Sequence, residues 1–437
     1  MSRFSILPPD QNRFALVNTT IPSVAIAGHQ LSSKDGLSEA DLLIEDGVIK
    51  AVLPKGQAPS DYAKADLQQG MVWPCFVDAH THLDKGHIWQ RNANPDGTFQ
   101  GALETVDKDR RENWSAQDVH KRMEFSLRCA YAHGTGLIRT HIDSLAPQHR
   151  ISFEVFTSLR EAWKDRLALQ AVALFPLDAM DDAPYFSDLI HVLKTSNGLL
   201  GGVPKMGPQL TAQLEKLFKT AEEHGLDVDL HIDETDDPDA ETLRAVAETV
   251  LRHKFAGKVT AGHCCSLARQ DEERAKQTID LVARAGISVI SLPMCNMYLQ
   301  DRYADRTPRW RGVTLFKELT AAGVTTAVAS DNTRDPFYAF GDLDPVEVFR
   351  EAVRIIHLDH PLTDAARVVT TSAADILGRT DIGRIQQGQP ADLVLFSARR
   401  WSEFLSRPQS DRTVLRRGKI VEASLPDYRE LDSLTGA

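Results

Sequence analysis

The residues most able to do chemistry are His80 and His82, in His80-Thr81-His82, directly after the apolar run VWPCFVDA. In a strand, residues i and i+2 point to one face. Two imidazoles at the end of a buried strand therefore enter one space, where they can hold a metal. Matching ligand types recur at the ends of later apolar runs. These are His141 in RTHIDS, His231 in LHIDETDD with Glu234 three residues on, His263 in TAGHCCS and Asp331 in AVASDN. Random placement would scatter the 15 histidines over helices and surface, and here five sit at strand ends. Imidazoles with one carboxylate suit zinc or ferrous iron with a position left open for water. Such an ion lowers the pKa of bound water toward neutrality. Glu234 is then placed to move protons as a general acid/base. His141 also reads as a packed polar residue beside the site. Lys205, ending the fourth run, also reads as a carbamylated bridge between two metals. The His231-x-x-Glu234 pair favours one metal and a proton shuttle instead.

The elements that must position these groups follow one theme between Met71 and Leu377. A short, β-rich apolar run precedes a charged segment of helical period. Strands are predicted near 73–79, 136–143, 169–176, 199–206, 228–233, 258–263, 287–294 and 325–331. The intervening helices carry their own boundaries, with a cap at Ser115 and a stop at Gly225. DAETLRAVAETVLRHKFAG and ERAKQTIDLVARAG are expected to stop at their glycines in the same way. Most strand starts are spaced by about 30 residues, the size of one βα unit. Eight such units predict an α/β chain folded as a (β/α)8 TIM barrel, in which strand C-terminal ends meet at one active face. An open doubly wound sheet would show a glycine-rich phosphate loop after the first strand, and that position reads DAHTHLDKG. Residues 71–380 are assigned to the barrel. Residues 1–70 and 381–437 carry short strand-like pieces such as ADLLIEDGVIKAVLP and DIGRIQQGQPADLVLF. Neither end has apolar surface enough for its own core, so both are expected to build one small flanking β-sandwich.

Composition narrows the partners. The chain has 437 residues, 42% hydrophobic and 25% charged, with net charge −11 and no long basic run. Nucleic acid and anionic membrane are therefore excluded as expected partners. No apolar stretch approaches the roughly 18 residues of a spanning helix, and MSRFSILPPDQNRF lacks a signal peptide's apolar core. The five cysteines are odd in number, with no paired spacing and no C-x-x-C. That pattern predicts a reducing, cytoplasmic setting. The oligomeric state stays open, a homo-oligomer included.

The run FVDAHTHLDKGH, then HIDETDD, VTAGH and ASDNTRDPFYAFGD, resembles the cytosine deaminase branch of the amidohydrolase superfamily, and GRIQQGQPADLVLF resembles that superfamily's tail. The resemblance covers nearly the whole chain. It implies a distorted (β/α)8 barrel with a flanking β-sandwich and one divalent ion, Zn²⁺ or Fe²⁺, with Mn²⁺ as a substitute. His80, His82, His231 and Asp331 would bind that metal. His263 would hold the attacking water, Glu234 would protonate the ring nitrogen, and Asp331 would also take a proton from the water. Three substrate-facing positions depart from cytosine deaminase: Leu177 stands for a glutamine, Asn332 for an aspartate and Phe337 for a tryptophan. HTHLDK also resembles the branch that hydrolyses N-alkylated triazines. The implied activity is hydrolytic deamination of cytosine or a substituted cytosine such as 5-methylcytosine, releasing ammonia. An aminotriazine such as an N-alkylammelide, isocytosine or creatinine is the alternative.

Overall fold

The computed structural model describes residues 12–28, 31–422 and 424–436. The reading of the extreme N-terminus falls on residues 1–11, outside the described residues. The chain divides into two compact units. One comprises residues 1–78, 128–137 and 344–425, the other 79–127, 138–343 and 426–437.

The second unit holds most of the predicted βα repeat. The eight strands are β1 (Phe76–Thr81), β2 (Thr135–Asp143), β3 (Ala168–Leu174), β4 (Leu200–Gly202), β5 (Val228–Ile232), β6 (Val259–His263), β7 (Ser288–Ser291) and β8 (Thr326–Val328). Strands β4 to β8 form a five-stranded parallel sheet, and β1 to β3 a three-stranded one. Isolated parallel bridges join the two. Val172 pairs with Leu199 and Pro176 with Val203 at one seam, and Thr81 pairs with Asp331 at the other. Every residue of β1, β5 and β6 is buried. Their polar residues, Asp78, His80 and Thr81 on β1, Asp229 and His231 on β5 and Thr260 and His263 on β6, therefore lie inside with the apolar ones, as in strands covered on both faces.

The helices stop and start for local reasons. Ser115 Oγ accepts from the Asp118 amide at 3.3 Å, opening helix Ala116–His133. Gly225 ends Leu210–His224 in the left-handed region, φ +63°, where a residue without Cβ is unstrained. Helix Thr242–His253 stops earlier than its glycine suggests, because Lys254 takes the left-handed cap.

Three strand predictions change. The run 73–79 is two strands, Met71–Pro74 and β1. The first pairs antiparallel with Leu393–Phe396 in a different sheet, and the chain switches sheets at Cys75. The fourth run shortens to Leu200–Gly202. The seventh ends at Ser291, because Pro293 opens helix Pro293–Leu299. Proline is tolerated there, since the first-turn N–H has no partner in any helix.

The first unit contains a nine-stranded sheet built from both chain ends, in which Leu37–Glu45, Arg13–Pro22, Met71–Pro74 and Leu393–Phe396 are neighbours in turn. Leu16, Ile21, Leu42, Ile44, Leu393 and Leu415 form its core. Trp73 stacks on Phe404 at 4.9 Å between ring centres. This unit also takes in helix Pro345–Ile356, whose Phe349 lies edge-on to Trp73 at 5.5 Å. All five cysteines are buried thiols outside any disulfide. Among the described residues no helix is long and apolar enough to cross a membrane.

Candidate active site

Strand period delivers the candidate ligands. His80 and His82 leave the end of β1 on one face, His231 lies on β5, His263 ends β6, and Asp331 follows β8. His263 and Asp331 adopt left-handed backbone, φ +68° and +63°. That geometry costs about 1–2 kcal/mol for a residue with a Cβ, and such strain collects at functional sites. Here it turns each side chain inward at the strand end.

Four donor atoms converge. His80 Nε2 lies 3.3 Å from His231 Nε2, which lies 3.2 Å from His82 Nε2. Asp331 Oδ1 lies 3.1 Å from His82 Nε2 and 3.6 Å from His80 Nε2. A tetrahedral zinc ion with bonds of about 2.0–2.1 Å holds its ligand atoms about 3.3 Å apart, so the spacing fits one ion. Burial, reinforced by neighbouring imidazoles and Lys85, pushes His80, His82 and His231 well below the ordinary histidine pKa. Neutral rings keep the lone pairs that metal binding needs. The Nδ1 atoms of these three rings are buried without a hydrogen-bond partner among the described residues.

Glu234 stands beside this quartet. Asn296 Nδ2 lies 3.1 Å from Glu234 Oε1 and 3.0 Å from His263 Nδ1. The Asn296 amide thus bridges Glu234 and His263, and the tautomer of His263 follows from the way that amide is turned. His263 also offers a ligand atom within 4.8 Å of those of His80 and His231. Burial pushes its pKa down to about 3. Burial, and then the Asp331 charge, push the Glu234 carboxyl well above the ordinary range, as suits a group that must hold a proton near neutrality.

His141 packs against the four donors and, with His80 and Asp229, offers a further group of ligand atoms within 4.8 Å of one another. Its ring lies against His80, centres 3.9 Å apart and tilted by 30°, and its Nε2 is 3.8 Å from Asp229 Oδ1. Asp229 pairs with Arg139 at 2.8 Å. These groups lie two residues before His231 and His141 on their strands, and hence on the same faces.

A cavity of about 540 Å³ opens over the donors. His82, His231, Glu234 and His263 line it, with Phe99, Leu103, Phe175, Val203, Met206 and Phe337 as apolar wall and Lys85, Arg110 and Asp143 as polar wall. Asn332 and Phe337 line the cavity, with Asn332 Nδ2 donating to Asp335 Oδ2 at 2.7 Å. Leu177 is not among the lining residues. It is buried in a short turn against Gly202, and Phe175 and Pro176 take the wall position. Lys205 lines the cavity as an exposed residue, which does not suit a lysine bridging two buried ions. Asn296, Lys85 and Asp143 escaped the sequence reading. Lys85 stood in plain view in HLDK, three residues after His82, but its partner comes from the end of β2.

Comparison with known proteins gives the family and the fold. A family model described as an amidohydrolase family matches residues 116–422. A pterin deaminase of Rhizobium rhizogenes is 69% identical over 437 residues, covering all of both chains. The crystal structure of a 5-methylcytosine deaminase from Klebsiella pneumoniae, liganded with 5-fluorocytosine, matches with a TM-score of 0.81 at 24% identity, covering 95% of this chain and 98% of that one. An adenosine deaminase from Xanthomonas campestris with bound zinc matches with a TM-score of 0.68 at 18% identity, covering 96% and 97%. At those two identities the likeness is one of fold.

Proposed function

The chain belongs to the amidohydrolase family, and from that premise we propose that it is a metal-dependent hydrolytic deaminase of a 2-amino-4-oxopteridine, the pterin ring. The observation that carries the substrate is the 69% identity to a pterin deaminase across the full length of both chains. The cavity agrees, since about 540 Å³ falls in the range of small-molecule sites and its apolar wall suits a flat two-ring heterocycle. In this reading the eight strands are a distorted (β/α)8 barrel, its seams reduced to single bridges, and the sheet from both chain ends is a sandwich-type domain.

His80, His82, His231 and Asp331 would hold one divalent ion, zinc or iron, which when bound acidifies a water toward neutrality. The chain's own residues account for the protons. Asp331 takes a proton from the attacking water. Oxygen adds to the amino-bearing C2, with the His263 Nε2–H directed at it. Glu234 delivers a proton to the ring nitrogen beside C2. A second proton reaches the amino group, the C2–N bond breaks, and ammonia leaves. Pterin and water thus become 2,4-dioxopteridine and ammonia, with no redox change.

A substituted cytosine is the second reading, favoured by the fold likeness to a 5-methylcytosine deaminase. One assay separates the two: ammonia release from pterin, isocytosine, cytosine, 5-methylcytosine and an aminotriazine, with the pteridine product followed by absorbance. The expected result is the highest kcat/KM on pterin. A preference of tenfold or more for 5-methylcytosine would replace the pterin reading with the pyrimidine one.

A further inference from the structure

One buried cation in the cavity takes no part in the proton steps. The Lys85 side chain is 6% exposed, and its Nζ is 2.9 Å from Asp143 Oδ1. The same nitrogen sits 5.2 Å from the centre of the Phe337 ring, and all three residues line the cavity. Burying an ammonium is costly unless it is paired. Burial alone would lower the Lys85 pKa, but the carboxyls of Asp143, Asp84 and Asp335 outweigh it and hold the group charged. The chain therefore keeps a buried, paired cation in the wall of the cavity that His82 also lines, and a lone surface-type ion pair would not need that placement.

An ammonium offers three N–H donors and no acceptor. Asp143 takes one direction. A heterocycle seated over the metal quartet with its amino-bearing carbon at the attacking water presents its remaining ring edge to the cavity wall. We propose that Lys85 is a specificity-determining residue that donates to the carbonyl oxygen of the bound heterocycle and so selects an oxo-bearing ring over its diamino counterpart. The proposal rests on the deaminase reading above and names the group that reads the substrate's second substituent. An amino group at that position offers hydrogens to a partner that can accept none. The carbonyl also gains negative charge when oxygen adds to the ring, so the contact strengthens in the transition state and acts on kcat as well as KM.

The test compares two substrate pairs that differ only at that position: pterin against 2,4-diaminopteridine, and isocytosine against 2,4-diaminopyrimidine. The wild-type enzyme is expected to favour the oxo member of the pair it accepts by about 100-fold or more, as a site built to hydrogen-bond a substrate group rejects analogues lacking it. In Lys85→Met the oxo substrate should lose about 100-fold in kcat/KM while the diamino substrate stays within about threefold, collapsing the preference. The double variant K85M/D143N removes the carboxylate left without its partner, and should show the same collapse with metal content and Tm near wild type. An equal fall on both members, or a preference retained in both variants, would show that Lys85 only holds its loop and would overturn the proposal. Should wild type reject the pteridines yet accept the pyrimidines, the pterin reading falls and Lys85 is judged on the second pair. Inactivity on all four would overturn both.

Discussion

The backbone amide of Asp331 donates to the carbonyl oxygen of His80 at 2.9 Å, and the same two residues bring Asp331 Oδ1 to 3.6 Å from His80 Nε2. The ends of the first and eighth strands are thus tied by backbone, and the separation of two candidate ligands follows from strand register more than from rotamer choice. Asp331→Asn keeps the backbone bond and the shape but removes the anionic donor. Wild type should carry about one divalent ion per chain, lose activity on chelation and regain it with Zn²⁺, Fe²⁺ or Mn²⁺. The variant should lose ion affinity and at least about 100-fold in kcat. Elemental analysis giving two ions per chain would overturn the single-ion reading.

Glu234→Gln preserves size and hydrogen bonding but cannot carry a proton. General acid/base groups contribute about 10²–10⁴-fold, and kcat should fall by that factor with ion content unchanged. A variant that lost its ion would make Glu234 a ligand. Retained activity would move the shuttle to another residue.

Asn296 tests how the shuttle is oriented. Its amide bridges Glu234 and His263 at 3.1 and 3.0 Å. A hydrogen bond to a charged partner contributes about 1.5–3 kcal/mol. Asn296→Ala should therefore lower kcat about 10- to 100-fold, with KM and ion content little changed. Because the amide donates to Glu234, which lowers that group's pKa, its loss should move the Glu234 limb of the pH–rate profile upward. A variant with kcat and profile intact would leave Asn296 a packing residue.

Stability has its own pH dependence. Arg91 pairs with Asp109 at 2.8 Å and with Asp118 at 2.5 Å, and Asp118 also receives Arg122 at 2.6 Å. Arg122 in turn donates to the carbonyls of Asp84 and Gly86, in the loop after His82. Burial would raise Asp109 and Asp118, but Arg91 outweighs it, aided by Trp114 and Asn92 at Asp109 and by Arg122 at Asp118, so both stay below the ordinary value of 3.8. A depressed carboxyl stabilises the fold above its unfolded pKa and loses that contribution as pH falls through the folded value. The network should be fully stabilising above about pH 4 and fade below it. Arg91→Met, which leaves the buried Asp109 without its cation and the buried Asp118 with Arg122 alone, should cost about 3 kcal/mol at pH 7. Its deficit in Tm should shrink as the pH is lowered below 4, and a deficit constant with pH would refute the assignment.

Much of the site was legible in the chain because it depends on local rules. An i, i+2 pair at the end of an apolar run shares one face wherever the strand lies. His80, His82, His231, His263 and Asp331 could therefore be read as one convergent set, and Glu234 found three residues beyond its neighbouring ligand. Ser115 and Gly225 marked helix ends for equally local reasons. The tertiary structure decided what no spacing encodes. Asn296 reaches Glu234 and His263 only because Pro293 ends the seventh strand early and starts a helix across the site. Lys85 and Asp143 meet because the ends of two neighbouring strands lie side by side, although 58 positions separate them in the chain. The resemblance to cytosine deaminase puts Leu177 at a substrate-facing position. It lies outside the cavity wall because Gly202, lacking a side chain, leaves the space that Leu177 fills. The candidate ligands follow the strand period, whereas Asn296 comes from a helix and Lys85 from the loop after β1, and the positions of both depend on long-range packing.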